Sequence, residues 1–89
     1  MSLPFAIEQI RKITFYKRDE FTTDLICCDV EGDTGCGTHV WSNHEETDTW
    51  NEWIEAFAKL PGFAKDWFAR VSQPAFAPSV TVAYERPIS

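Results

Sequence analysis

Basic residues are scarce in this chain of 89 residues: eight lysines and arginines stand against fourteen aspartates and glutamates. The resulting formal charge of −6 and pI near 4.7 argue against a phosphate backbone or an anionic bilayer as partner, because both select a basic surface. Long hydrophobic runs are missing too. No stretch approaches the ~18 apolar residues of a membrane span, and the first residues hold no apolar run of signal-peptide length. The expectation is a soluble cytoplasmic protein whose partners include no nucleic acid and no membrane. Cysteine is limited to Cys27, Cys28 and Cys36, an odd count without framework spacing, so reduced thiols are predicted. No Ser-His-Asp ordering, glycine-rich phosphate loop or paired-carboxylate site can be assembled, and no cofactor is expected.

Aromatic residues are what the chain has in quantity: four Trp, two Tyr and seven Phe. They allow a single domain, residues 1–89, to build a core despite its length. The densest segment is residues 49–60. At ~100° per residue Trp50, Trp53, Ile54, Phe57, Ala58 and Leu60 share one arc, and Asn51, Glu52, Glu55 and Lys59 the other. Thr49 and Glu52 have the spacing of a capping box, with Asp48 as a rival cap, and Pro61 with Gly62 ends the helix. A second helix is predicted over residues 64–71, where Phe63, Trp67 and Val71 recur every four residues and Phe68 widens the stripe. Pro74 stops it, and residues 75–78 should run extended.

Strand patterns surround these helices. Ile13 and Phe15 alternate with Thr14 and Tyr16 from about residue 10, after a possible helical turn over residues 5–9, and the charged group Lys17, Arg18, Asp19, Glu20 is read as the hairpin turn. Residues 22–31 carry Leu25 and Cys27 on one face and Ile26, Cys28 and Val30 on the other, the mark of a central strand. Three glycines within residues 32–37 make a loop with positive φ at more than one position. A short strand over residues 38–42 follows. The last strand, residues 79–85, alternates Val80, Val82 and Tyr84 against Thr81 and Ala83, a half-buried pattern. The fold class is therefore α+β: a four-stranded antiparallel sheet in the order β-β-β-α-α-β with two helices on one face. The spatial strand order is expected to be 3-2-1-4.

Tyr16-Lys17-Arg18-Asp19-Glu20, Thr23-Asp24-Leu25-Ile26-Cys27-Cys28 and Leu60-Pro61-Gly62-Phe63 with Asp66-Trp67-Phe68 resemble a family of small uncharacterised bacterial proteins. The resemblance would cover most of the chain and implies no activity, cofactor or partner. Three strands followed by a Trp-bearing helix are also loosely similar to part of a pleckstrin-homology-like domain. Such a domain, however, has seven strands and ends in its helix.

Four groups of residues could carry chemistry. Cys36, His39 and His44 are candidate zinc ligands, with Cys27 or Cys28 as a fourth, yet neighbouring strand cysteines point to opposite faces and no complete tetrahedral set emerges. Small buried apolar cysteines are the simpler reading. His44-Glu45-Glu46-Thr47-Asp48 has aspartate where a zinc-protease helix needs its second histidine, and Asp29, Glu31 and Asp33 open like a calcium loop whose later positions do not fit. The Arg18, Asp19 and Asp24 turn could converge as a polar site, although a solvated turn explains the same charges. Finally, Ile26, Cys28 and Val30 are the candidate interface, on the assumption that the helices cover the face of Leu25. Two readings follow: a non-catalytic protein-interaction module that self-associates as a homodimer, or a small-ligand or metal-binding protein or minor enzyme using one of the polar groups.

Overall fold

The computed structural model describes residues 3–19, 24–72 and 79–86. A 3-10 turn, Ile7–Gln9, leads into β1, Ile10–Asp19, followed by β2, Asp24–Asp33, and β3, Thr38–His44. Two helices, α1 at Trp50–Phe57 and α2 at Trp67–Val71, precede β4 at Ser79–Glu85. The strands form one antiparallel sheet in the order β3-β2-β1-β4, the order the connection lengths imply. Among the described residues no helix is long and apolar enough to cross a membrane.

The central ladder pairs Ile13 with Val30, Phe15 with Cys28 and Lys17 with Ile26, so these side chains share one face with Trp41 and Asn43 of β3. That face carries the core. Phe15 is fully buried and stacks on Trp67 with ring centroids 3.9 Å apart, while α1 contributes Trp50, Trp53 and Phe57. Phe5 closes the same layer, its ring 5.0 Å from Trp53 and 5.2 Å from Trp41. The apolar arc read from residues 49–60 thus faces the sheet as its spacing requires, since Trp50, Trp53, Phe57 and Leu60 are all buried.

Several local expectations change. Thr49 precedes α1 but makes no side-chain cap; its hydroxyl instead accepts a hydrogen bond from Asn43 Nδ2 at 3.2 Å, fastening the helix start to β3. The second helix is shorter than its pattern, because Ala64 is held to β4 by an N–H donated to the Ala83 carbonyl at 2.8 Å. Lys17 and Arg18 belong to β1 and not to a turn. Lys17 lies on the core face, only 3% exposed, and its Nζ donates to the Ser72 carbonyl at the end of α2 at 2.9 Å. A cation there satisfies a terminal helix carbonyl, which is why a strand can bury it. Gly32 is likewise a strand residue. A Cβ there would lie 2.8 Å from both the Gln9 carbonyl oxygen and the Trp41 ring, so its role is close approach, whereas positive φ is confined to Gly35, Gly37 and Gly62. The extended segment expected at residues 75–78 lies outside the described residues.

Candidate functional site: the open face of the sheet

Period-two alternation sends every second residue of β1 and β2 to the face away from the helices. Ladder register groups them in rows. Lys12 pairs with Glu31 and Glu85, Thr14 with Asp29 and Val82, Tyr16 with Cys27 and Val80, and Arg18 with Leu25. On β3, Val40, Ser42 and His44 continue the first three of these rows. Neither helix packs on these side chains, because both lie on the face of Phe15, although Cys27 and Leu25 in these rows are themselves buried, with 3% and 9% exposure.

Apolar surface is concentrated at the two edges of this open face. Val80 is 71% exposed, Val82 40% and Val40 48%. The valines of β4 therefore point away from the core, while Thr81 and Ala83 occupy the covered side and an irregularity in the β1–β4 register brings Tyr84 there as well, opposite Ile13. Between the edges lies a polar centre. Asp29 accepts hydrogen bonds from the Ser42 hydroxyl at 2.7 Å and the Tyr16 hydroxyl at 3.4 Å, bridging three strands. Burial, and then the Asp29 carboxylate, push the Tyr16 phenol up to about 12. Burial raises the Cys27 thiol as well, against the opposing pull of the Arg18 guanidinium. A thiol held protonated is a poor nucleophile.

One end of the face is an ionic margin. Asp33 accepts from Arg86 at 2.8 Å and from Arg11 at 3.5 Å, and Arg86 also donates to the Glu8 carbonyl at 2.9 Å. Beside this clamp a depression of about 260 Å³ is lined by Arg11, Lys12, Glu31, Thr38, Glu85 and Arg86. Charge is distributed unevenly over the molecule. On the open face Arg11, Lys12, Arg18 and Arg86 balance Asp29, Glu31, Asp33 and Glu85. Across the helix layer and its leading turn, Glu45, Glu46, Asp48, Glu52, Glu55 and Asp66 outnumber Lys59, Lys65 and Arg70.

The residues singled out in the sequence fall differently. Ile26, Cys28 and Val30, taken there as the interface, are buried to 6%, 0% and 0% beneath the helices. That assignment is corrected, because α1 and α2 cover their face and not that of Leu25. Cys36 sits exposed in the turn between β2 and β3, whereas His39 and His44, five residues apart in one strand, face opposite sides of the sheet. Among the described residues no group of three or more His, Cys, Asp or Glu is placed to hold a metal. Arg18 reaches the open face beside Cys27. Asp19 and Asp24 are paired in the ladder, and their side chains lie outside the described residues. Sequence reasoning missed Tyr16, Asp29 and Ser42 as a group, although an aspartate amid the apolar run of a central strand was a signal of a solvent-facing position. No family model, curated protein or solved structure matches this chain.

Proposed function

We propose that the protein is a non-catalytic interaction module that self-associates, as a homodimer in the cytoplasm, through the open face of its sheet. The exposure of Val80, Val82 and Val40 on a face that neither helix covers carries this reading. Charge supports a second copy as occupant: a face with balanced charge approaches its own image without net repulsion, while the acidic helix layer turns outward and keeps the pair soluble. Sedimentation equilibrium from about 1 μM to about 1 mM, the range in which a modest interface of this kind associates, tests the reading. Mass should rise toward the dimer in the native chain. Val80→Lys should stay monomeric with unchanged unfolding midpoint, since its site is already exposed. A native chain monomeric throughout that range would overturn the reading.

A further inference from the structure

The sheet ends in β3 on one side and in β4 on the other, and the two edges are finished differently. The β4 edge is partly closed: its ladder with β1 shifts register between Ile13 and Thr14, and the Ala83 carbonyl accepts the Ala64 N–H at 2.8 Å. The β3 edge is not. Its ladder with β2 runs without a break, and residues 38–42 include none of the charges, prolines or bulges that blunt an exposed edge. Along an antiparallel ladder, residues alternate between bonding inward and pointing their backbone groups outward. The Glu45 N–H donates to the Ile26 carbonyl at 3.0 Å and the Thr34 N–H to the Gly37 carbonyl at 2.9 Å, so His39, Trp41 and Asn43, in phase with these, direct theirs at β2. Thr38, Val40, Ser42 and His44 therefore turn theirs outward. His44 is already closed, its N–H donated to Asn43 Oδ1 at 2.9 Å and its carbonyl accepting the Thr47 N–H at 3.0 Å. Thr38, Val40 and Ser42 are left with outward N–H and C=O groups that no described residue meets.

We infer that the β3 edge takes up an extended segment of another protein as an added antiparallel strand, one in which basic residues precede an uncharged stretch of β-branched side chains. This contact uses the edge and not the open face, so it does not depend on self-association. Backbone groups fix the register, because only pairing centred opposite Val40 engages all three outward residues. Side chains fix the character of the segment. On the covered side it runs beside His39 and the half-buried Trp41, whose rings lie 4.8 Å apart, and on the other it meets Val40, 48% exposed. Apolar and β-branched neighbours suit both. Charge fixes its direction. The turn that closes His44 brings Glu45, Glu46 and Asp48 to that end of the edge, and none of the three has an ion pair among the described residues. An antiparallel strand starts there, so cations belong at its N-terminal end. A second copy of β3 fits less well. Pairing Thr38 with Ser42 across two copies carries the partner subunit's Asp33 toward the same carboxylates, and Arg11 and Arg86 are already engaged by Asp33.

The probe is a synthetic peptide, Lys-Arg-Lys-Thr-Val-Val-Val-Thr, blocked at both ends and added to the V80K chain so that association through the open face does not contribute. It should slow hydrogen exchange at the N–H groups of Thr38, Val40 and Ser42 and leave Thr81 in β4 unaltered. A peptide with glutamates in place of its cations, and one N-methylated at its central valine, should each bind about ten-fold more weakly. V40P removes an outward N–H that the ladder with β2 does not use, so the fold should persist while binding falls by about the same factor. Near-UV circular dichroism checks the fold. If V40P disturbs it, E46K combined with D48K, at two exposed side chains, should weaken the basic peptide and favour the acidic one. No binding, protection away from the β3 edge, or equal affinity for the two charge forms would overturn the proposal. Protection of Val40 that grows with the concentration of the V80K chain alone would overturn it too, because a second copy would then be the occupant.

Discussion

The two faces of this sheet are made from the same strands, yet they do different work. On the covered face β1 and β2 present Ile13, Phe15, Ile26, Cys28 and Val30, all at or below 6% exposure, in one core cluster with the aromatic residues of α1 and Phe5. One residue along the chain, Thr14, Tyr16 and Asp29 present a mixed surface around the buried Cys27, in which hydrogen bonds to a carboxylate hold the centre and valines stand at the edges. Burial without partners in water demands apolar packing, whereas a surface that must exist in solution before it binds needs polar groups to stay soluble. The difference teaches that the face the helices leave uncovered is told from the core face by its mixture of polar and apolar groups, not by a lack of apolar residues.

The comparison is broken most severely by emptying the covered face. Phe15→Ala removes a fully buried ring that stacks on Trp67, and should cost about 3–5 kcal/mol in urea titration. Thr14→Ala, its neighbour on the open face, should cost less than about 1 kcal/mol. Equal losses would show the faces to be assigned wrongly. A smaller disturbance comes from crowding. Gly32→Ala places a methyl group against the Gln9 carbonyl and the Trp41 ring, and should lower stability by about 1–3 kcal/mol, while Glu31→Ala beside it should leave the monomer nearly unchanged. Thermal melts of the two variants at low protein concentration make the test.

The smallest effect is a dependence on pH that both faces share. Burial raises the Cys28 thiol on the covered face, and the Cys27 thiol and Tyr16 phenol on the open one. In the unfolded chain these groups ionise at their ordinary values, so the unfolded state releases protons first as pH climbs. Stability should be intact below about pH 9 and should decline above it as the thiols titrate, with the Tyr16 contribution lost between 10.0 and about 12. Tyr16→Phe should flatten only the upper part of that decline. Urea midpoints at successive alkaline pH values would show whether it does, and a decline of unaltered shape would remove the phenol from the account.

Much of the fold was legible because periodicity is a local property. The arc of Trp50, Trp53 and Phe57, the two alternating faces of β2, the bounds of β4 and the strand order all follow from spacing and connection length. The candidate site was not legible in the same way. Alternation divides a strand into two faces but is symmetric between them, and in β2 both halves contain apolar residues. Which half the helices cover depends on where the chain crosses after His44, so Ile26, Cys28 and Val30 changed sides from interface to core. Lys17 and β4 show the same limit. A lysine in a strand reads as exposed until the end of α2, 55 residues away, brings the Ser72 carbonyl to its Nζ. The alternation of β4 does not say which of its halves faces the core; the structure puts Thr81 and Ala83 there, with the Ala64 N–H donated to the Ala83 carbonyl. The sequence by itself determined the elements, their partners and the existence of an aromatic core, through interactions between near neighbours. Only the tertiary structure decided which face the helices cover and which they leave, because that choice is made by contacts between segments that no local pattern relates.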